Sequence, residues 1–138
     1  MRRALVTGGC GFIGSNLAKQ LSAEGWVVDV VDNLCNGRLD SLKEVDSHVL
    51  INASFLKPFA SNQKRDNSKV LIIQDDFASP HMLNYISEKN YDVVFHQAAL
   101  PRVSYSVKNP TETTATNISA TVALFEACVD SVSRIVFA

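Results

Sequence analysis

The chain has 138 residues, with 13 basic against 14 acidic side chains and a net charge of −1, a balance that gives no electrostatic footprint for nucleic acid or a membrane surface. Its hydrophobic content of 46% and charged content of 20% are those of an ordinary globular chain of one domain, and no stretch approaches the roughly 18 apolar residues of a membrane span. Cys10, Cys35 and Cys128 form an odd set without metal-ligand spacing. They read as free thiols of a reducing compartment and, with no signal-peptide pattern at the N-terminus, the expected location is cytoplasmic, with no metal site.

Residues 3–7 read as a first strand, buried on both faces because the run is continuously apolar rather than alternating. It ends in Thr7 and meets Gly8, Gly11 and Gly14, after which a helical pattern begins at once. A strand hands over to a helix in this way when a phosphate sits at the turn. Gly8 permits the tight turn, Gly11 lets backbone approach a pyrophosphate, and Gly14 lets the helix close on its strand. The helix N-terminus offers unpaired N–H groups and a partial positive charge. Ile13, Leu17 and Leu21 recur at four-residue steps as the expected core face of this helix, and Gly25 ends it. Residues 26–31 form a second strand closing in Asp32-Asn33, at the distance where a dinucleotide fold places its ribose-binding acid.

The signal weakens from Leu34 to Lys69. Leu39, Leu42 and Val45 fit a short helix, and residues 57–69 read as a polar loop. Its charges (Lys57, Lys64, Arg65 and Lys69 against Asp66) are better explained by solvation than by an anion site. Residues 70–74 are the third strand, followed by Asp75-Asp76-Phe77, and Ser79-Pro80 starts a helix with Ser as cap and Pro at the first position. Residues 92–96 are the fourth strand, leading into Gln97-Ala98-Ala99-Leu100. A long amphipathic helix marked by Ile118, Val122, Phe125 and Val129 precedes a fifth strand at residues 134–138. Strands alternating with helices imply an α/β doubly wound parallel sheet with right-handed crossovers and the expected order 3-2-1-4-5. Ligands bind such sheets beyond the carboxyl ends of the strands where the winding reverses, which puts the glycine turn and Gln97–Leu100 on two lips of one crevice.

Four segments resemble the extended short-chain dehydrogenase/reductase family, the NAD-dependent nucleotide-sugar epimerases and dehydratases, with its Rossmann-type fold. Thr7-Gly-Gly-Cys-Gly-Phe-Ile-Gly14 is similar to the family's T-G-x-x-G-x-x-G, with Phe12 and Ile13 between the last two glycines. Val31-Asp-Asn-Leu34 with Asn36-Gly37-Arg38 resembles the adenosine-ribose segment of the 4-epimerase branch. Phe95–Leu100, with Val103, Ser106 and Pro110, resembles the nicotinamide side, and Asn117 with the helix and strand after it resembles the approach to the catalytic strand. The resemblance implies NAD as cofactor, held by Gly8, Gly11, Phe12, Ile13, Gly14, Asp32, Asn33, Asn36, Gly37, Asp76, Phe77, Gln97, Ala98, Ala99 and Asn117. It implies a UDP-glucose or UDP-N-acetylglucosamine 4-epimerase, a 4,6-dehydratase or a sugar-acid decarboxylase, with a nucleotide sugar as partner; a non-enzymatic dinucleotide-binding module is the rival class.

Two departures stand out. Asp75 takes the place of the family's glycine after the third strand and reads as a surface variation beside the adenine-contacting Asp76. The family's Ser/Thr and Tyr-x-x-x-Lys follow the fifth strand, where this sequence stops, so no catalytic residue is assigned and the chain is expected to be inactive alone. Tyr85 and Lys89 show the tetrad spacing, but before the fourth strand, and read as coincidence. His96 reads as structural and Cys10 as a filler of the glycine loop. Arg102, Ser104 and Ser106 are candidate contacts for phosphate or sugar. An unpaired fifth strand, or the helix before it, is expected to drive homodimerisation or edge-strand self-association.

Overall fold

The computed structural model describes residues 1–61 and 65–138; Asn62 and Lys64 of the expected polar loop lie outside the described residues. Among the described residues six parallel strands form one sheet: β1 (Arg3–Thr7), β2 (Val27–Asp32), β3 (Ser47–Leu50), β4 (Val70–Gln74), β5 (Val93–His96) and β6 (Arg134–Phe137). Their order is β3-β4-β2-β1-β5-β6. The five expected strands keep their expected order, and β3 is an addition outside β4. It escapes the sequence pattern because it is a four-residue edge strand whose residues alternate between exposed and half-buried.

The central strands are covered on both faces, which is why β1 reads as an unbroken apolar run. On one face α1 (Phe12–Ala23) packs Ala18 and Leu21 against Ala4, Val6, Val28, Val30 and Ile72. On the other, α3 (Pro80–Ser87) and α6 (Ala120–Cys128) set Met82, Ile86, Leu124 and Cys128 against Leu5, Val31, Leu71, Ile73 and Val94. Short helices α2 (Leu56–Ser61), α4 (Val103–Lys108) and α5 (Pro110–Thr114) complete the fold. The Ser79 hydroxyl caps α3 by accepting from the Met82 N–H at 3.3 Å, with Pro80 at the first helical position.

The two long helices keep only part of the faces the periodicity marks: Leu17, Leu21 and Phe125 pack against the core, and the other marked residues do not. In α1 the buried residues are Gly14, Ser15, Ala18 and Leu21, while Ile13 is 64% exposed. The helix starts so close to the sheet that only small side chains fit beneath its first turns. In α6 the buried positions are Thr121, Leu124 and Cys128, and Ile118, Val122 and Val129 stand in solvent. One π-helical stretch, Ala115–Ser119, precedes α6, and its wider turn changes the helical phase on which a 3.6-residue reading depends.

Asp29 is the charged residue of the otherwise apolar interior of β2 and is buried. Its Oδ1 lies 2.5 Å from Arg65 Nη1, and its Oδ2 accepts from the Tyr91 hydroxyl at 2.6 Å. Arg65 therefore leaves the solvated loop in which its sequence context places it and neutralises a charge that burial would otherwise forbid. Burial, with Asp29 adding to it, pushes the Tyr91 phenol well above its ordinary range.

Candidate functional site

The winding of the sheet reverses between β1 and β5, and a crevice of about 570 Å³ opens there beyond the carboxyl ends of the strands. Its floor is the turn from β1 into α1. Gly8 has φ +67°, and its amide donates to the Val31 carbonyl at 2.9 Å, drawing the turn against β2. A Cβ at Gly14 would stand 2.3 Å from the Gly8 carbonyl oxygen, so the helix can begin here only without a side chain. Among the described residues, chain neighbours aside, such a Cβ at Gly11 would meet within 4 Å the Gly8 oxygen alone, at 3.3 Å, and Gly11 lines the crevice. The first turn of α1 has no side-chain cap, which leaves its amides facing that space.

Asp32 closes one side. It is 8% exposed, and its oxygens accept from the Cys10 N–H at 2.9 Å and the Leu34 N–H at 2.8 Å. One carboxylate thus joins the glycine turn to the loop after β2. The Arg38 amide adds a second tie to the Cys10 carbonyl at 3.1 Å. Cys10 is buried within this packing, and burial first, then the Asp32 charge, pushes its thiol up to about 12. The site at the helix start therefore holds a protonated filler, not an activated thiolate.

The opposite lip follows β5. Thr7 Oγ1 accepts from the Gln97 N–H at 3.0 Å and the Ala98 N–H at 3.1 Å. Asn117 holds the next peptide, its Oδ1 accepting from the Leu100 N–H at 2.8 Å and its Nδ2 donating to the Leu100 carbonyl at 3.0 Å. At the far end Asp76 Oδ1 accepts from the Ala78 N–H at 2.9 Å, and Phe77 is buried beside it. Asp75 is more than the surface variation expected of it. Its Oδ2 accepts from the Ala53 N–H at 2.8 Å and its Oδ1 from the Asp76 N–H, so it ties the end of β4 to the segment after β3.

Of the residues singled out in the sequence, Gly8, Gly11, Phe12, Ile13, Gly14, Asp32, Asn33, Asn36, Gly37, Asp76, Phe77, Gln97, Ala98 and Ala99 all line this crevice. Asn117 does not; both ends of its amide are spent on Leu100, behind the lip. Arg102 reaches the lining, whereas Ser106 donates to the Val103 carbonyl within α4. Cys35 and Asp75, which the sequence does not assign to the site, also line it, as do Glu112, Ala115, Thr116 and Ala120, which no sequence signal marks. Glu112 accepts from the Tyr105 hydroxyl, a contact between α4 and α5 that no local pattern encodes. Tyr85 is buried against Tyr91, ring centroids 5.7 Å apart, and Lys89 lies beyond the end of α3. Neither reaches the crevice. Among the described residues no cluster of three or more His, Cys, Asp or Glu could hold a metal ion, and no helix is long and apolar enough to cross a membrane.

A glycine turn, an acid closing the second strand and a crevice at the winding reversal define a Rossmann-type dinucleotide-binding domain. The NAD dependent epimerase/dehydratase family model matches residues 4–138, and the chain belongs to that family. It is 35% identical over 123 residues to a UDP-glucose 4-epimerase of Cyamopsis tetragonoloba, covering 88% of this chain and 31% of that protein. It is 30% identical over 138 residues to a UDP-N-acetyl-alpha-D-glucosaminuronate decarboxylase of Bacillus cytotoxicus, covering 99% of this chain and 36% of the relative. A crystal structure of UDP-glucose-4-epimerase from Stenotrophomonas maltophila, with bound NAD and formylated UDP-arabinopyranose, superposes with a TM-score of 0.73 at 30% identity, covering 99% of this chain and 36% of that one. The chain thus spans about a third of the length of the relatives it matches.

Proposed function

We propose that this chain is the NAD-binding part of a UDP-hexose 4-epimerase. The observation that carries the reading is the empty volume over Gly11, bounded by the Gly8–Gly14 turn below, Asp32 on one side and Gln97–Ala99 on the other. The residues fit the dinucleotide. The pyrophosphate would rest on the amides that open α1, the adenosine ribose hydroxyls would donate to Asp32, and the adenine would lie toward Asp76 and Phe77. The small side chains Ala98 and Ala99 leave room for the nicotinamide half. Bound NAD supplies transient oxidation of the sugar carbon whose configuration is inverted. The chain's own part is to hold the dinucleotide in one orientation and to disfavour NADP through the Asp32 charge.

Tyr85 and Lys89, the pair with the tetrad spacing, lie outside the crevice, and the 138 residues alone are expected to bind cofactor without turnover. Calorimetric titration with NAD and NADP tests this: NAD binds and NADP binds more weakly. Absence of heat with both ligands overturns the proposal, and epimerisation of UDP-glucose by this chain overturns its second half. A sugar-acid decarboxylase is the second reading, favoured by the Bacillus relative that aligns over nearly all of this chain. It shares the cofactor crevice and differs in the chemistry done on the sugar.

A further inference from the structure

His96 closes β5 beneath the crevice lip with 1% of its surface exposed. Its Nδ1 lies 2.7 Å from Thr7 Oγ1 and its Nε2 lies 2.9 Å from Thr121 Oγ1. A threonine hydroxyl has one proton to donate and two lone pairs with which to accept. Both lone pairs of Thr7 Oγ1 are taken, by the N–H groups of Gln97 and Ala98. Its proton is therefore directed at His96 Nδ1, which must be bare. The ring then carries its proton on Nε2 and donates to Thr121. Each atom of the chain has one role, and the imidazole is neutral.

We infer that His96 is a positioning residue for the cofactor crevice, acting through Thr7 to fix the Gln97–Ala98 lip in its neutral, Nε2-protonated tautomer. This rests on the NAD reading of the crevice. Thr7 belongs to the neighbouring strand β1 and Thr121 to the covering helix α6, and the ring also lies edge-on to Phe77, a crevice residue, with centroids 4.8 Å apart. A change at the ring is therefore felt by both the backbone lip and an aromatic wall. The hydrogen-bond and aromatic partners of the ring are Thr7, Phe77, Thr121, Phe125 and Phe137, none of them charged. Burial holds its pKa down at about 4, in keeping with a neutral ring. A proton on Nδ1 would need an acceptor, and Thr7 could become one only by releasing the Gln97 or the Ala98 amide.

The experiment uses the whole 138-residue chain. Nitrogen NMR of the imidazole identifies the tautomer, and calorimetry with NAD measures the lip. The wild-type ring is expected to show a bare Nδ1 and a protonated Nε2. Thr7→Val and His96→Asn are each expected to weaken NAD about tenfold, the size of one lost hydrogen bond at the lip. Ile86→Val, a core change in α3 away from the crevice, serves as a control of reduced stability and is expected to leave NAD affinity unchanged. A protonated Nδ1 in the wild type overturns the inference, as does wild-type NAD affinity in both variants or an equal loss in the control. A wild-type chain with the assigned tautomer that binds no NAD overturns the cofactor reading instead, and the positioning role with it.

Discussion

Gly8 and Ala98 are in direct backbone contact: a Cβ on Gly8 would stand 2.9 Å from both the nitrogen and the Cα of Ala98. The glycine turn and the lip after β5 are one packed unit, with no side chain between them. Gly8 also has φ +67°, a conformation that costs a residue with a Cβ roughly 1–2 kcal/mol. Gly8→Ala therefore combines backbone strain with a clash that only movement of the lip relieves. We expect a loss of about 2–3 kcal/mol in urea melts. NAD titration should show a separate loss of affinity, because the displaced atoms form the crevice wall.

Asp32 has a double load. The oxygens that would receive the ribose hydroxyls already hold the Cys10 and Leu34 amides, so the carboxylate is oriented before ligand arrives. Asp32→Asn removes the charge and turns a donor toward one of these amides. The expected result is NAD binding weaker by at least about tenfold, while NADP weakens less because the repulsion on its extra phosphate is gone. Parallel titrations with the two dinucleotides read that ratio. An unchanged NAD to NADP preference would contradict the assignment of Asp32 as the discriminating acid.

His96 sets a pH window. Burial lowers its pKa from 6.5 to about 4, so the unfolded chain binds a proton that the folded chain refuses. The stabilisation is complete above about pH 6.5, is lost progressively as pH falls, and is fully lost below about pH 4, with a total of about 3 kcal/mol at about 1.4 kcal/mol per unit. Denaturant melts of wild type and His96→Gln across this range isolate the contribution. The wild-type slope should exceed that of the variant between pH 6.5 and 4, and the curves should run parallel above it.

The strand order and the crevice could be read from the sequence because both follow from repeated local signals: unbroken apolar runs for the covered strands, glycine spacing for the turn, and one acid after β2. What escaped depends on long-range partners. Nothing in the sequence marks Asp29 inside its apolar strand, and Arg65 reads as a solvated loop charge; only the fold sets them 2.5 Å apart. The marked helix faces hold at Leu17, Leu21 and Phe125 and fail at Ile13, in the small-residue start of α1, and at Ile118, Val122 and Val129, in and after the π turn at Ala115–Ser119. Asn117 was placed in the cofactor segment by its neighbours in sequence, but its amide is matched to the Leu100 peptide.

Ile118, Val122 and Val129 are 60%, 58% and 67% exposed, which leaves an apolar stripe along one helix. The edge strand β6 also exposes Val136 and Phe137. Sedimentation of the wild-type chain should show concentration-dependent association. Val122→Lys should reduce it if the helix is the contact, and Val136→Lys if the edge is. A chain that stays monomeric at high concentration would show that neither surface recruits a second copy.

The three cysteines should separate cleanly in alkylation. Cys10 is 1% exposed with its thiol pushed up to about 12 by burial and by Asp32, and Cys128 is 3% exposed with its thiol raised to about 11 by burial. At pH 8 their thiolate fractions are on the order of one in ten thousand and one in a thousand, and neither sulfur is accessible to reagent. Cys35 is exposed on the crevice wall, between Asn33 and Asn36 of the ribose-side loop. Brief treatment with iodoacetamide should therefore modify Cys35 alone, as read by peptide mass spectrometry. Saturating NAD should slow that reaction by covering the wall on which the thiol sits. Equal rates with and without NAD would place the dinucleotide away from Cys35, and labelling of Cys10 in the folded chain would contradict the packing of the glycine turn against Asp32.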